Sequence, residues 1–227
     1  MIRFDAIIFD FDGVLLESEY EANAELAQLL TELGHPHSIA DAIRHYTGLN
    51  GEDFVAKVEG RIGRPLPSEF HARMKEEAKR ALAEGVDAVA GAVEFVRSLP
   101  PDLPKAVASS SSTRWIRGHL DHLGLADSFR EHVYSGREHV GRGKPAPDLY
   151  LLAAERLGAD IRRSVILEDS EVGAIGAVAS GATVIGLAAG KHCLDGHAAI
   201  LAAAGVRHVA HSFDEVSRLI GVDQTSR

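Results

Sequence analysis

The most constraining feature of this 227-residue chain is a run of four apolar residues, Ala6 to Phe9, that ends in two aspartates. The run does not alternate with polar residues, which is typical of a strand buried on both faces of a parallel sheet. Asp10 and Asp12 follow it, and Gly13 permits a sharp turn. Reactive groups in open parallel sheets lie just beyond the carboxyl ends of strands. We therefore expect both carboxylates to face a cleft.

Two carboxylates placed one residue apart can divide the work of a phosphoryl transfer. Asp10 could attack an electrophile and form a covalent intermediate, whereas Asp12 could deliver and then remove a proton. A pair of aspartates that only caps the next turn explains the same residues, so this alternative stays open.

The composition limits the partners of the chain. With 33 acidic and 24 basic residues its formal charge is −9, which argues against nucleic acid or an anionic membrane as a main partner. The single cysteine, Cys193, excludes an internal disulfide and fits a reducing compartment. We therefore expect a cytoplasmic protein that binds a small molecule, either as a monomer or as a homo-oligomer.

The order of elements predicts an α/β protein with an insertion. Residues 18–85 contain four amphipathic helices and no strand candidate, which favours a helical cap. Residues 1–17 and 86–227 alternate strands and helices as in a doubly wound, Rossmann-like parallel sheet. The predicted later strands are Lys105 to Ser109, Val133 to Tyr134, Ser164 to Leu167, Thr183 to Ile185 and Val206 to Val209.

A run of four serines follows the strand that ends at Ser109. Because the run leads into a helix, its hydroxyls and free backbone N–H groups suit a phosphate oxygen, with Ser109 and Ser110 as candidate ligands. A serine-rich turn in which Ser112 caps the helix is the simpler alternative.

Two further clusters follow other strand ends. Lys144 lies in a loop stiffened by prolines, where it could neutralise Asp10 and a phosphate together, although most lysines in turns are exposed. Glu168 and Asp169 end the strand at residues 164–167. Carboxylates that share one cleft repel each other by about 4 kcal/mol per pair at 4 Å and an effective dielectric constant near 20. A hard divalent cation would relieve that repulsion, and oxygen ligands point to Mg²⁺.

These clusters together resemble a known family. Asp10-Phe-Asp12-Gly-Val, Ser109, Lys144 within Gly-Lys-Pro-Ala-Pro-Asp, and Glu168-Asp169 are similar to the four signature motifs of the haloacid dehalogenase superfamily, in the same order. The helical insertion after the first motif resembles the branch with a helical cap. In that design the cap and its loops select the substrate.

The resemblance implies a phosphatase that works through an aspartyl phosphate. Asp10 would be the nucleophile and Asp12 the general acid and then the base, while Ser109 and Lys144 would hold the phosphoryl group. Mg²⁺ would be bound by Asp10, the carbonyl of Asp12 and Asp169, with Glu168 as a direct or outer ligand.

The cap bears on the choice between a hydrolase and an isomerase. The core motifs read like those of beta-phosphoglucomutase, but Ala22 and Gly51 replace a histidine and an arginine of that mutase. We therefore predict a phosphatase acting on a sugar or sugar-acid phosphate, with Glu19 and Asn50 as weaker substrate candidates. A mutase is the alternative, and a phosphoryl-accepting signalling domain is a more remote one.

Two other features of the sequence are not assigned a function. His192 and Cys193 with Asp195 and His197 form the one histidine grouping with a plausible ligand mix for zinc, but a polar loop beside the cleft is the simpler interpretation. Trp115, the only tryptophan, is predicted to pack in the core.

Overall fold

The computed structural model describes residues 4–47 and 51–222. The chain divides into two compact units, one formed by Met1–Glu17 with Asp87–Arg227 and the other by Ser18–Val86. The assignment of the smaller unit as a substrate-selecting cap stays a proposal. None of the helices in the described ranges has the length and apolar character that a transmembrane crossing requires.

A six-stranded parallel sheet forms the centre of the larger unit, which confirms the predicted α/β class. Its order is β3-β2-β1-β4-β5-β6. The strands are β1 (Ala6–Phe9), β2 (Lys105–Ser109), β3 (Val133–Ser135), β4 (Ser164–Glu168), β5 (Thr183–Leu187) and β6 (His208–Ala210).

Eleven α-helices are described, of which four lie in the smaller unit. Those of the smaller unit are α1 (Ser18–Glu32), α2 (Ile39–Tyr46), α3 (Gly51–Ile62) and α4 (Ser68–Glu84). Those of the larger unit are α5 (Ala92–Ser98), α6 (Thr113–His122), α7 (Ala126–Phe129), α8 (Asp148–Leu157), α9 (Glu171–Ala179), α10 (His197–Ala203) and α11 (Phe213–Ile220). A short 3₁₀ turn, Ile161–Arg163, leads into β4.

The first strand is fully buried because apolar layers cover both faces of the sheet. All four residues of β1 have no exposed surface. Ile8 packs in a cluster with residues of α8, α9 and α10. On the opposite face the ring of Phe9 lies against Phe95 of α5 and Phe129 of α7, with ring centroids 6.1 and 5.5 Å apart. This explains why β1 reads as a continuous apolar run.

The smaller unit has its own apolar core. Ser38 and Asp41 form a reciprocal capping box at the start of α2, as the spacing of the two residues predicts. Residues from all four helices meet in one cluster, which includes Leu30, Tyr46 and Phe70 together with Val58. The four helices confirm the predicted helical segment.

Two elements near the carboxyl end differ from the sequence-based expectation. The last strand covers His208–Ala210, because Val206 still belongs to the turn after α10 and donates its N–H to the carbonyl of Leu201 at 3.2 Å. Helix α11 was not predicted, although Ser212 caps it by accepting from the N–H of Glu215.

Candidate active site

The predicted polar residues lie at one edge of the sheet. Strands β2, β1 and β4 are neighbours and run in parallel, so that their carboxyl ends meet. Asp10 follows β1, Ser109 ends β2, and Glu168 ends β4. The fold therefore brings side chains together that are far apart in the sequence.

Lys144 connects two of these strand ends. Its Nζ donates to Oδ1 of Asp10 at 2.6 Å and to Oε1 of Glu168 at 2.7 Å. The lysine side chain is only 5% exposed, so the alternative of an exposed lysine in a turn is wrong. The peptide bond that joins it to Pro145 is cis.

Glu168 is held from several directions. Tyr150 of α8 donates its hydroxyl to Oε1 at 3.0 Å. The backbone N–H and the hydroxyl of Ser170 donate to Oε2 at 2.6 and 2.9 Å. Sequence reasoning did not find Tyr150, because a tyrosine near the start of an apolar helix face carries no signal of a polar contact. The contacts fix the orientation of a fully buried carboxylate.

Asp10, Glu168 and Asp169 form a buried acidic cluster, in which one oxygen from each lies within 4.8 Å of the others. Burial raises the pKa of Asp10 and of Asp169 well above the usual range, and the Glu168 carboxylate raises both further, while Lys144 opposes the shift. Oδ1 of Asp169 is buried and has no hydrogen-bond partner among the described residues. Three carboxyl groups beside one ammonium group offer oxygen donors that fit a hard divalent cation.

Asp12 points to the serine turn and to α6. Its Oδ2 accepts from the hydroxyls of Ser109 at 3.2 Å and Ser111 at 2.6 Å. Its Oδ1 accepts from the indole N–H of Trp115 at 2.9 Å. Donors from two elements therefore orient the carboxylate at the carboxyl end of β1.

The serine run supplies a helix cap and contacts to Asp12. Ser112 caps α6 by accepting from the N–H of Trp115, and Ser109 is buried beside Asp12. Ser110 is exposed, and Ser111 rather than Ser110 contacts Asp12. The phosphate-binding roles of Ser109 and Ser110 stay predictions.

The expectation that Trp115 only packs in the core is wrong. The side chain is half-buried, its ring lies against His119 with centroids 4.1 Å apart, and its N–H reaches Asp12 across 103 positions of the sequence. No local pattern predicts a contact of this kind.

Trp115→Phe tests whether this contact positions Asp12. The variant keeps a ring but loses the N–H donor, and a hydrogen bond within a protein contributes about 0.5–1.5 kcal/mol. We expect kcat for an alkyl phosphate to fall by up to about tenfold, with little change in KM or in the burst rate of nitrophenolate release from para-nitrophenyl phosphate, whose leaving group needs no proton. Arg114→Gln, an exposed neighbour on the same helix, is the control. A burst rate with para-nitrophenyl phosphate that falls as much as kcat for the alkyl phosphate would contradict a positioning role.

Glycines in α9 leave space for the site. A Cβ atom at Gly173 would lie 1.6 Å from Oε1 of Glu168, and one at Gly176 would lie 3.0 Å from the carbonyl oxygens of Pro145 and Ala146. The helix can therefore approach both Glu168 and the loop that follows Lys144. This packing accounts for glycines in a helix that would otherwise disfavour them.

Gly173→Ala should displace Glu168 from its contacts. We expect the free energy of unfolding to fall by about 1–3 kcal/mol, as in other overpacked interiors, together with a loss of activity. Gly60→Ala is a matched control, because Gly60 lies in α3 with no atom within 4 Å of an added Cβ. The control should gain about 0.5–1 kcal/mol. Urea unfolding of both variants measures the difference, and equal stability of the two would contradict this account of the packing.

The loop after β5 lies beside Asp169. Nε2 of His192 is 2.8 Å from Oδ2 of Asp169, and Nε2 of His197 is 2.6 Å from the carbonyl oxygen of Asp169. Burial, with a smaller contribution from Asp169, raises the pKa of the Cys193 thiol to about 12. The thiol is therefore a poor nucleophile at neutral pH.

The two weaker substrate candidates lie in different circumstances. Glu19 is half-buried in the first turn of α1, where its carbonyl oxygen accepts from the side chain of Asn23 at 2.7 Å. Asn50 lies outside the described residues. A substrate role for either residue stays a prediction.

Comparisons with known proteins show the family of this chain. The family model for haloacid dehalogenase-like hydrolases matches residues 4–181. The chain is 32% identical to a fructose-1-phosphate phosphatase of Escherichia coli over 183 residues, which cover 79% of this chain and 94% of that protein. It is 33% identical to a phosphorylated carbohydrates phosphatase of Thermotoga maritima over 184 residues, which cover 78% of this chain and 82% of that protein.

A solved structure extends the similarity to the whole fold. A hydrolase of the same family from Deinococcus radiodurans, crystallised with bound phosphate and sodium, aligns with a TM-score of 0.84 and 32% identity over 96% of each chain. This chain therefore belongs to the haloacid dehalogenase-like hydrolases.

Proposed function

We propose that this chain is a Mg²⁺-dependent phosphatase that hydrolyses a small phosphorylated metabolite through a phosphoryl group bound to Asp10. As a family member with phosphatase relatives, it is a phosphoric monoester hydrolase. The proposed Mg²⁺ dependence and the proposed bond between Asp10 and phosphorus rest on one observation. It is the buried acidic cluster around Lys144 at the carboxyl ends of neighbouring strands.

Lys144 contacts two carboxylates, and Asp10 is the proposed nucleophile because both oxygens of the other, Glu168, already accept hydrogen bonds from Tyr150 and Ser170. Lys144 holds one oxygen of Asp10, which fixes the direction of the second oxygen. In the first step an oxygen of Asp10 forms a bond to phosphorus while the bond from phosphorus to the substrate oxygen breaks. Asp12 donates its proton to that departing oxygen.

The second step regenerates the enzyme. Asp12, now ionised, removes a proton from water as the water oxygen attacks phosphorus, and the bond between phosphorus and Asp10 breaks. Inorganic phosphate leaves, and the proton is again on Asp12. Ser111 and Trp115 support this proposal because they hold Asp12 beside the strand end that carries Asp10.

Mg²⁺ is the proposed cation of the acidic cluster. Asp10 and Asp169 would hold it with the carbonyl oxygen of Asp12, and Glu168 would be an outer ligand because Lys144, Tyr150 and Ser170 already occupy its oxygens. When bound, the metal would screen the negative charge of the phosphoryl group from the attacking carboxylate.

A sugar or sugar-acid phosphate is the proposed substrate class. Two relatives are named for fructose 1-phosphate and for phosphorylated carbohydrates, which supports this class without selecting a member. A cytoplasmic location stays a prediction from the single cysteine.

The test is a panel of sugar and sugar-acid phosphates, assayed for release of inorganic phosphate with Mg²⁺ and with a chelator. We expect release from at least one member, and only with Mg²⁺. Glucose 1-phosphate with a trace of glucose 1,6-bisphosphate distinguishes a phosphatase from a mutase. A mutase would form glucose 6-phosphate and little free phosphate. No phosphate release from any member, or release that persists with the chelator, would contradict the proposal.

A further inference from the structure

A second group of metal-binding side chains lies next to the acidic cluster but differs from it in chemistry. His192, Cys193 and His197 each present one ligand atom within 4.8 Å of the other two. His192 is buried, while the other two are half-buried. The Sγ atom of Cys193 lies 3.4 Å from Nε2 of His192, so both side chains point to the same place although the residues are adjacent in sequence.

The hydrogen bond of His197 determines which of its ring nitrogens could bind a metal. A carbonyl oxygen only accepts, so the Nε2 atom that contacts the carbonyl of Asp169 must carry the hydrogen. In a neutral ring Nδ1 then has the lone pair, so Nδ1 is the atom of His197 that could bind a cation. Histidines that bind metals commonly donate their other N–H to a backbone carbonyl in this way.

We propose that His192, Cys193 and His197 form a binding site for a zinc-class cation, separate from the Mg²⁺ site. The cation would displace the proton of the Cys193 thiol on binding. Two imidazoles and a thiolate are ligands that zinc prefers and that magnesium avoids. Three protein ligands leave the fourth position of a tetrahedral ion for water. The assignment uses Cys193 and the two histidines, and Asp195 is exposed and outside the group.

This site is coupled to the acidic cluster through Asp169. Nε2 of His192 faces both the thiol of Cys193 and Oδ2 of Asp169. A cation that takes this nitrogen removes its contact with the Asp169 carboxylate, which is a proposed Mg²⁺ ligand. Zinc is therefore expected to inhibit phosphate release. The binding site itself does not depend on the proposed function.

Absorption spectroscopy of the metal-free chain with Co²⁺ tests the proposal without any activity assay. A cobalt–thiolate bond gives a charge-transfer band, and Cys193 is the only cysteine, so a band has one possible source. We expect the band to saturate at one equivalent of Co²⁺, to disappear when Zn²⁺ is added and to persist in excess Mg²⁺. Asp10→Asn should retain the band, because Asp10 belongs to the acidic cluster.

Variants show whether the two histidines take part in binding or whether the Cys193 thiol binds the metal without them. Cys193→Ser should abolish the band, and His197→Gln should weaken Co²⁺ binding by at least about tenfold. His122→Gln, an exposed histidine at the end of α6, is the matched control and should bind normally. Circular dichroism checks that each variant is folded. A wild-type chain without the band, or a band that both His192→Gln and His197→Gln leave unchanged, would overturn the proposal.

Discussion

Asp10→Asn is expected to lower kcat/KM for phosphate release by at least about 10⁴-fold, as the loss of a covalent nucleophile does in other enzymes. An amide cannot form the bond to phosphorus. The variant should stay folded, because burial already raises the pKa of Asp10 and a neutral side chain fits the site, while Glu168 still pairs with Lys144.

The control for this change is Asp5→Asn. Asp5 is exposed one residue before β1 and pairs with Arg163 at the surface, where an ion pair contributes about 0–1 kcal/mol. Activity of the control should match the wild type. Thermal unfolding of both variants shows whether a loss of activity is a loss of fold. Activity of Asp10→Asn within tenfold of the wild type would remove Asp10 as the nucleophile.

Much of the fold is predictable because buried parallel strands and glycine breaks have strong local signals. Strand β2 has the predicted bounds, Lys105 to Ser109, and residues 18–85 contain four helices, as expected. The sequence-based prediction does not include helix α11, although Ser212 is a residue type that commonly caps helices. The helix is eight residues long, and its Phe213 packs on Phe95 of α5 in a contact that no local pattern shows.

The candidate site is predictable only to the level of the sheet edge. A strand-end position indicates that Asp10, Ser109 and Glu168 can meet, because parallel strands end together. It does not indicate which side chains complete the contacts. Trp115 and Tyr150 both lie on helices, where an aromatic residue usually marks the core, and their polar atoms reach the site only after the helices pack.

Asp12→Asn is the change that separates the two chemical steps. General acid and base catalysis contributes about 10²–10⁴-fold to a rate, so we expect a loss of that size in kcat for a sugar phosphate. The geometry should persist, because an amide oxygen can still accept from Ser111. Asp121→Asn, an exposed residue of α6, is the matched control.

With para-nitrophenyl phosphate the same variant should behave differently. This leaving group departs without a proton, so the first step needs no acid, whereas the second step still needs a base to activate water. We therefore expect one equivalent of nitrophenolate in a rapid burst, followed by slow turnover, and a chain that carries one phosphoryl group by mass spectrometry. Asp10→Asn should show neither the burst nor the added mass. If Asp12→Asn turns over slowly and shows no burst, the slow step precedes transfer of the phosphoryl group to Asp10. That result would contradict the proposed role of Asp12 as the base of the second step.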